Sequence, residues 1–167
     1  NPNIATTTDG DKAKAEEYFK QGQAFWKEFE ISKSIEAYTQ ALKLYPFYVD
    51  ALRERGIVYF MIGQAKTSLP DFDRVLQIEP INVKTLYFRG LALTDIAIKT
   101  KDEENDRQSA ADFAQRSLAD FNKAIELEPK SYAYYNGRGN LVLAFGFYKE
   151  AVADFEKSIS ITPNSTK

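Results

Sequence analysis

The chain has 167 residues, 44% of them hydrophobic, which is one ordinary domain's length with enough apolar material for a core, and its net charge is −2. It contains neither histidine nor cysteine, which excludes Ser–His and Cys–His nucleophile pairs, the usual zinc sites and any disulfide framework. No cluster of Lys and Arg marks a nucleic-acid footprint, and no run approaches the ~18 apolar residues of a membrane span.

Taken in chain order, residues 1–14 read as a flexible polar tail, in which Thr6-Thr7-Thr8-Asp9-Gly10 has nothing to pack. From Ala15 one pattern recurs. Gly22 leads to Pro46, Gly56 to Pro80 and Gly139 to Pro163, each a step of 24 residues; Gly90 leads to Pro129, a step of 39. An apolar residue follows each glycine by three: Phe25, Tyr59, Leu93 and Val142. A small residue comes next, Ser34, Ser68, Ser117 or Ala151, then four positions later an aromatic: Tyr38, Phe72, Phe121 or Phe155. Ala41, Val75, Ala124 and Ser158 lie three beyond, before the proline. The period of 34 divides the chain into repeats 15–48, 49–82, 83–131 and 132–165, the third carrying 15 extra residues near 96–110. The apolar pattern runs into and out of that insertion, so two lengthened helices are expected there, with Thr100 to Gln108 at the tip.

Spacings of three and four are helical, and a proline ends the second helix of each pair. A glycine inside a helix costs about 1 kcal/mol relative to alanine, so the four repeat glycines need a packing reason; close approach of two helices, with the small residue opposite, is the natural one. Gly63 and Gly146 fall between paired helices, where a left-handed turn is expected. This pattern resembles the tetratricopeptide repeat over about 15–165. The resemblance implies an all-α fold, a right-handed α-α superhelix (solenoid) of four helical hairpins forming a single domain, and a binding role rather than an enzymatic one.

Two further features are internal to the chain. Arg55, Arg89 and Arg138 precede the repeat glycine in copies two to four, and Asp71, Asp120 and Asp154 precede the second-helix aromatic in those same copies. In the first copy both are missing, replaced by Gln21 and Ala37. An Arg–Asp pair joining the two helices of each later hairpin is therefore expected. The acidic run Asp102-Glu103-Glu104-Asn105-Asp106 lacks the glycine and closing glutamate of a calcium loop, with Arg107 and Phe113 at those places, so no metal is assigned. The Asn164-Ser165-Thr166 sequon matters only if the protein is secreted. Compartment stays open, cytoplasmic ahead of secreted or periplasmic, and a start at Asn1 suggests a mature or excised chain.

In the family resembled, the first helices line a concave groove. Helical counting places Phe19, Gln23 and Trp26 there from the first repeat, and Arg53, Ile57, Phe60 and Met61 from the second. Lys84, Tyr87, Phe88 and Leu91 follow from the third, with Asn136 and Asn140 from the fourth. Aromatic and apolar groups dominate, as in surfaces that anchor a partner. The family's clamp for acidic chaperone C-termini needs Lys and Asn where Phe19 and Gln23 stand, Asn at Glu54 and Arg at Phe88; only Lys84 matches. The expected function is therefore a scaffold or adaptor that binds an extended or helical segment of another protein, without cofactor, nucleic acid or membrane insertion. The alternative is a structural element that forms a homodimer through its last repeat.

Overall fold

The computed structural model describes residues 7–102 and 106–161, and every regular element among them is an α-helix. In chain order they are α1 Asp9–Lys27, α2 Ile31–Leu44, α3 Val49–Met61, α4 Ala65–Ile78, α5 Val83–Asp102, α6 Arg107–Leu127, α7 Tyr132–Ala144 and α8 Tyr148–Ile161. Pro163, the Asn164 sequon and the Glu103, Glu104 and Asn105 part of the acidic run lie outside the described residues.

The first helix begins inside the stretch expected to be tail. Thr8 Oγ1 accepts from the Asp11 backbone N–H at 3.1 Å, and the Asp11 carboxylate accepts from the Thr8 N–H at 3.0 Å. This reciprocal cap satisfies two backbone donors and starts a helix without buried apolar residues. Polarity ruled out burial for residues 9–14, and it did not rule out helix.

The chain divides into two compact units, Asn1–Ile78 and Glu79–Lys167. In the first, α1 pairs with α2 and α3 with α4, and α2 also packs on α3. Its core gathers Ala15, Ala41, Leu42, Ala51, Leu52 and Val75, with Phe19 and Tyr48 packed against them. In the second, α5 pairs with α6 and α7 with α8, while α7 also contacts α5 and α6. There Leu93, Ile96, Phe121 and Ala124 are almost fully buried. Helices α5 and α6 have 20 and 21 residues, against 13 and 14 in α7 and α8, about two turns more each. Asp106 opens α6 by accepting from the Ser109 N–H at 3.0 Å.

The repeat glycines are where aromatic rings cross a helix. A Cβ added at Gly22 would lie 2.6 Å from the Tyr38 ring, and one at Gly56 would lie 2.7 Å from Phe72. Gly90 and Gly137 flank the Phe121 ring from α5 and α7, with corresponding distances of 3.0 and 2.7 Å. The ring therefore fills the space that the sequence assigned to the small residue. In the first and third copies the small residue serves instead as a hydrogen-bond donor, since Ser34 Oγ and Ser117 Oγ donate to the carbonyls of Gly22 and Gly90 at 2.9 and 2.8 Å. The missing Cβ, joined in those two copies by the hydroxyl, holds the paired helices at close range. Gly63 and Gly146 take the left-handed φ values of 78° and 83° expected between helices, and Phe29, 34 positions before Gly63, takes 59° without being glycine.

Candidate interaction surface

The scaffold beneath the surface is built from charge as well as apolar packing. Arg55 donates from Nε and Nη2 to the two oxygens of Asp71 at 2.8 and 2.7 Å. Arg89 does the same with Asp120, and Arg138 with Asp154, at the same distances. The carboxylates are almost wholly buried, so each forked pair ties the two helices of its hairpin at a dry seam. The remaining nitrogen of Arg55 reaches Thr39 on α2, and that of Arg138 reaches Asn122 on α6, at 3.0 and 2.6 Å. Each of these two arginines therefore joins its hairpin to the one before it. Burial opposes the Arg55 charge, but the hydrogen bonds and charge of Asp71 outweigh it and raise its pKa.

In the first unit the predicted surface residues separate into two groups. Phe19 is half-buried, its ring 5.8 Å from Tyr38 and 5.2 Å from Tyr48, and Ile57 is only 8% exposed. These two serve the core, Phe19 through its ring contacts with Tyr38 and Tyr48 and Ile57 through its burial on α3. Trp26 and Phe60 are half-buried, Gln23 is exposed and Met61 is 58% exposed. Arg53 donates to Asp50 at 2.5 Å and to Glu54 at 3.3 Å. Its charge is compensated by its own helix.

In the second unit Tyr87 anchors an aromatic cluster, with ring centroids 5.3 Å from Phe88, 6.3 Å from Phe121 and 5.2 Å from Tyr134. Burial, then the Tyr132 charge, raises its pKa. Tyr87 is accordingly half-buried and part of the packing among α5, α6 and α7. Phe88 and Leu91 are half-buried and Lys84 is exposed. Asn136 and Asn140, four residues apart on α7, share one exposed face.

Sequence reasoning passed over Tyr134, whose hydroxyl donates to Glu128 at 2.8 Å. Burial, then Glu128, pushes its pKa up to about 12. It also passed over a cleft of about 440 Å³ lined by Lys101, Asp102, Arg107, Ala111 and Phe145. There Lys101 Nζ donates to the last α7 carbonyl, of Ala144, at 2.8 Å. No spacing rule joins residues from α5, α6 and α7 in this way. Among the described residues no acidic cluster is placed to hold a metal ion, and no helix is long and apolar enough to cross a membrane.

Comparison with known proteins agrees with this architecture. The family pattern described as tetratricopeptide repeat matches residues 19–82 and 106–166. The mitochondrial import receptor subunit TOM70 of Homo sapiens is 31% identical over 136 residues, covering 81% of this chain and 20% of that protein. The rat protein is 29% identical over 123 residues, so the chain spans about a fifth or less of these relatives' length. Among solved structures, MamA 41-end from Desulfovibrio magneticus RS-1 has a TM-score of 0.73 at 22% identity, over 88% of this chain and 75% of that one. The first TPR of Spaghetti (RPAP3), bound to the HSP90 peptide SRMEEVD, has a TM-score of 0.68 at 18% identity, over 84% and 98%. These likenesses establish the fold as an all-α solenoid of helical hairpins.

Proposed function

The chain belongs to the tetratricopeptide repeat family, and from that premise we propose that it is a non-catalytic interaction module that grips an extended or helical segment of a partner protein. The observation that carries this reading is the apolar surface left on the first helices after the core is closed. Tyr38, Phe72 and Phe121 fill the interior to within 1% exposure, yet Met61 remains 58% exposed beside half-buried Phe60 and Trp26 lies half-buried on α1. In the second unit, taken by itself, Phe88 and Leu91 are half-buried on α5, and Asn136 and Asn140 offer hydrogen bonds to a ligand backbone from α7. Phe19 and Ile57 support the first helices of their own unit from below, and Tyr87 does so in the second unit. Lys84 is exposed near the start of α5 in the second unit, and Arg53 in the first is paired within α3.

The bound peptide in the Spaghetti structure supports peptide capture as a use of this fold. The ligand here is of another kind. Phe19, Gln23 and Phe88 have no charge to offer an acidic chain end, and Glu54 would repel one. Pulldown from native lysate with wild type and a Trp26→Ala/Met61→Ser variant tests the reading, with helicity checked by circular dichroism. Partners held by the wild type and lost by the folded variant are expected; identical partner sets would refute it. The peptide SRMEEVD, titrated while the fluorescence of Trp26, the only tryptophan, is followed, should give no saturable change.

A further inference from the structure

We propose that α8 is a homotypic docking helix through which two copies of this chain pair antiparallel across a two-fold axis. One side of α8 is occupied: Ala151, Asp154 and Ser158 are buried, with Asp154 holding Arg138 and Ser158 Oγ donating to the Tyr132 carbonyl on α7. About 100° further round the helix, Tyr148, Val152, Phe155 and Ile159 follow one another by four, three and four residues and form a single apolar stripe. Tyr148 is 68% exposed, Val152 55% and Ile159 73%, while Phe155 is half-buried, one side of its ring lying over Gly139 of α7.

The same repeat positions show what such a stripe receives. Leu42 on α2 stands 117 positions before Ile159 and is 8% exposed; Tyr38, 117 before Phe155, is 1% exposed. Phe121 on α6, 34 before Phe155, is fully buried. In those two hairpins the following helix, α3 or α7, packs on that second helix. The α8 stripe thus has the form of a helix-receiving surface, and its occupant is a helix.

Register and charge select a second α8 as that occupant. In an antiparallel pair centred between residues 153 and 154, Tyr148 faces Ile159 of the second copy and Val152 faces Phe155. The two-fold repeats both contacts, so the stripe is complementary to itself. Lys149 and Glu156 lie on one flank of the stripe, and this register brings each within about a turn of its opposite number on the second copy. Both are exposed, and among the described residues neither has an ionic partner. A helix of 14 residues offers less than the ~800 Å² per partner of a standard interface. The dimer is therefore concentration-dependent.

Sedimentation velocity across a concentration series tests this, since the altered side chains are all on the surface. Wild type should shift from monomer to dimer, and Val152→Glu/Ile159→Glu should raise the dissociation constant at least tenfold with unchanged helicity. Lys149→Glu should weaken pairing several-fold, and Lys149→Glu/Glu156→Lys should restore it. A monomer at every concentration overturns the proposal. So does a dimer indifferent to Ile159→Glu, which would place the contact elsewhere, or a charge swap that fails to rescue, which would exclude this register. Capture of a different protein that Ile159→Glu abolishes, without self-association, would give the stripe to another helix and also overturn it.

Discussion

Replacing Arg55 with methionine should be among the most damaging single changes on this chain that leaves an apolar volume largely filled. The guanidinium makes two bonds of 2.8 and 2.7 Å to Asp71 and a third, of 3.0 Å, to Thr39. The Asp71 side chain is 7% exposed and that of Arg55 20%, so methionine would leave a carboxylate in a nearly dry seam. Removing one partner of a buried pair costs about 3–5 kcal/mol, and the remaining solvent contact here places the expectation near 3 kcal/mol. That is a large share of the ~5–15 kcal/mol that holds a typical domain together. The decisive companion is Arg55→Met/Asp71→Leu. Removing both charges leaves nothing stranded, and stability should return to within about 1 kcal/mol of wild type. Urea unfolding, followed by circular dichroism and by the fluorescence of Trp26 in the same unit, measures both. A single-variant cost below about 1 kcal/mol, the range of exposed pairs, would refute the buried-seam argument. A double variant no more stable than the single would refute it as well.

Phe29→Gly should raise the melting temperature by relieving about 1 kcal/mol of left-handed backbone strain, since this side chain is 85% exposed at φ 59°. Gly63→Ala should do the reverse by a similar amount: nothing lies within 4 Å of its added Cβ, which isolates the backbone effect. Gly56→Ala, despite alanine's helix preference, should lose about 1–3 kcal/mol in urea titration, because its Cβ would sit 2.7 Å from the buried Phe72 ring; Phe72→Leu should recover part of it. Burial, then the charge of Glu54, pushes the Tyr38 pKa up to about 12, so the folded state keeps a proton that the unfolded chain releases near pH ~10. That contribution is full below pH ~10 and is lost as pH rises toward 12. Tyr38→Phe should therefore narrow the stability loss between thermal melts at pH 9 and pH 11, and an unchanged loss would assign it to other groups.

The scaffold was legible where one residue type must answer another at the same repeat position. Arg and Asp are both present in three copies and both absent in the first, and the forked bonds follow that pattern. Legibility failed where direction rather than position decides. Ser34 and Tyr38 are four residues apart on α2, and counting cannot say which approaches Gly22; the ring reaches the Cα while the hydroxyl reaches the carbonyl. Ile57 and Phe19 fell on the groove by the same counting, but both turn far enough toward the neighbouring helix to be taken into the core. Phe29 carried a signal that was overlooked, its alignment with Gly63 at the period of 34. The start of α1 was hidden because its signal is a polar cap, Thr8 with Asp11, in a stretch read for its lack of apolar residues.

The absence of the pair from the first hairpin follows from what the arginine does elsewhere. Two of its nitrogens serve its own hairpin, but the third reaches back to the second helix of the hairpin before, at Thr39 for Arg55 and at Asn122 for Arg138. An arginine at position 21 would have no such helix before it among the described residues, and its fork would project into water, as does the side chain that now occupies that exposed site, Gln21. A solvated guanidinium gains little from a carboxylate, so burying an aspartate at position 37 would have no adequate return. Ala37, 6% exposed, closes the seam by packing alone. The charged seam is thus a device for joining one hairpin to the next. The apolar stripe on α8 is the corresponding device at the opposite side of the last described hairpin, and it is the one whose partner the sedimentation experiment will identify.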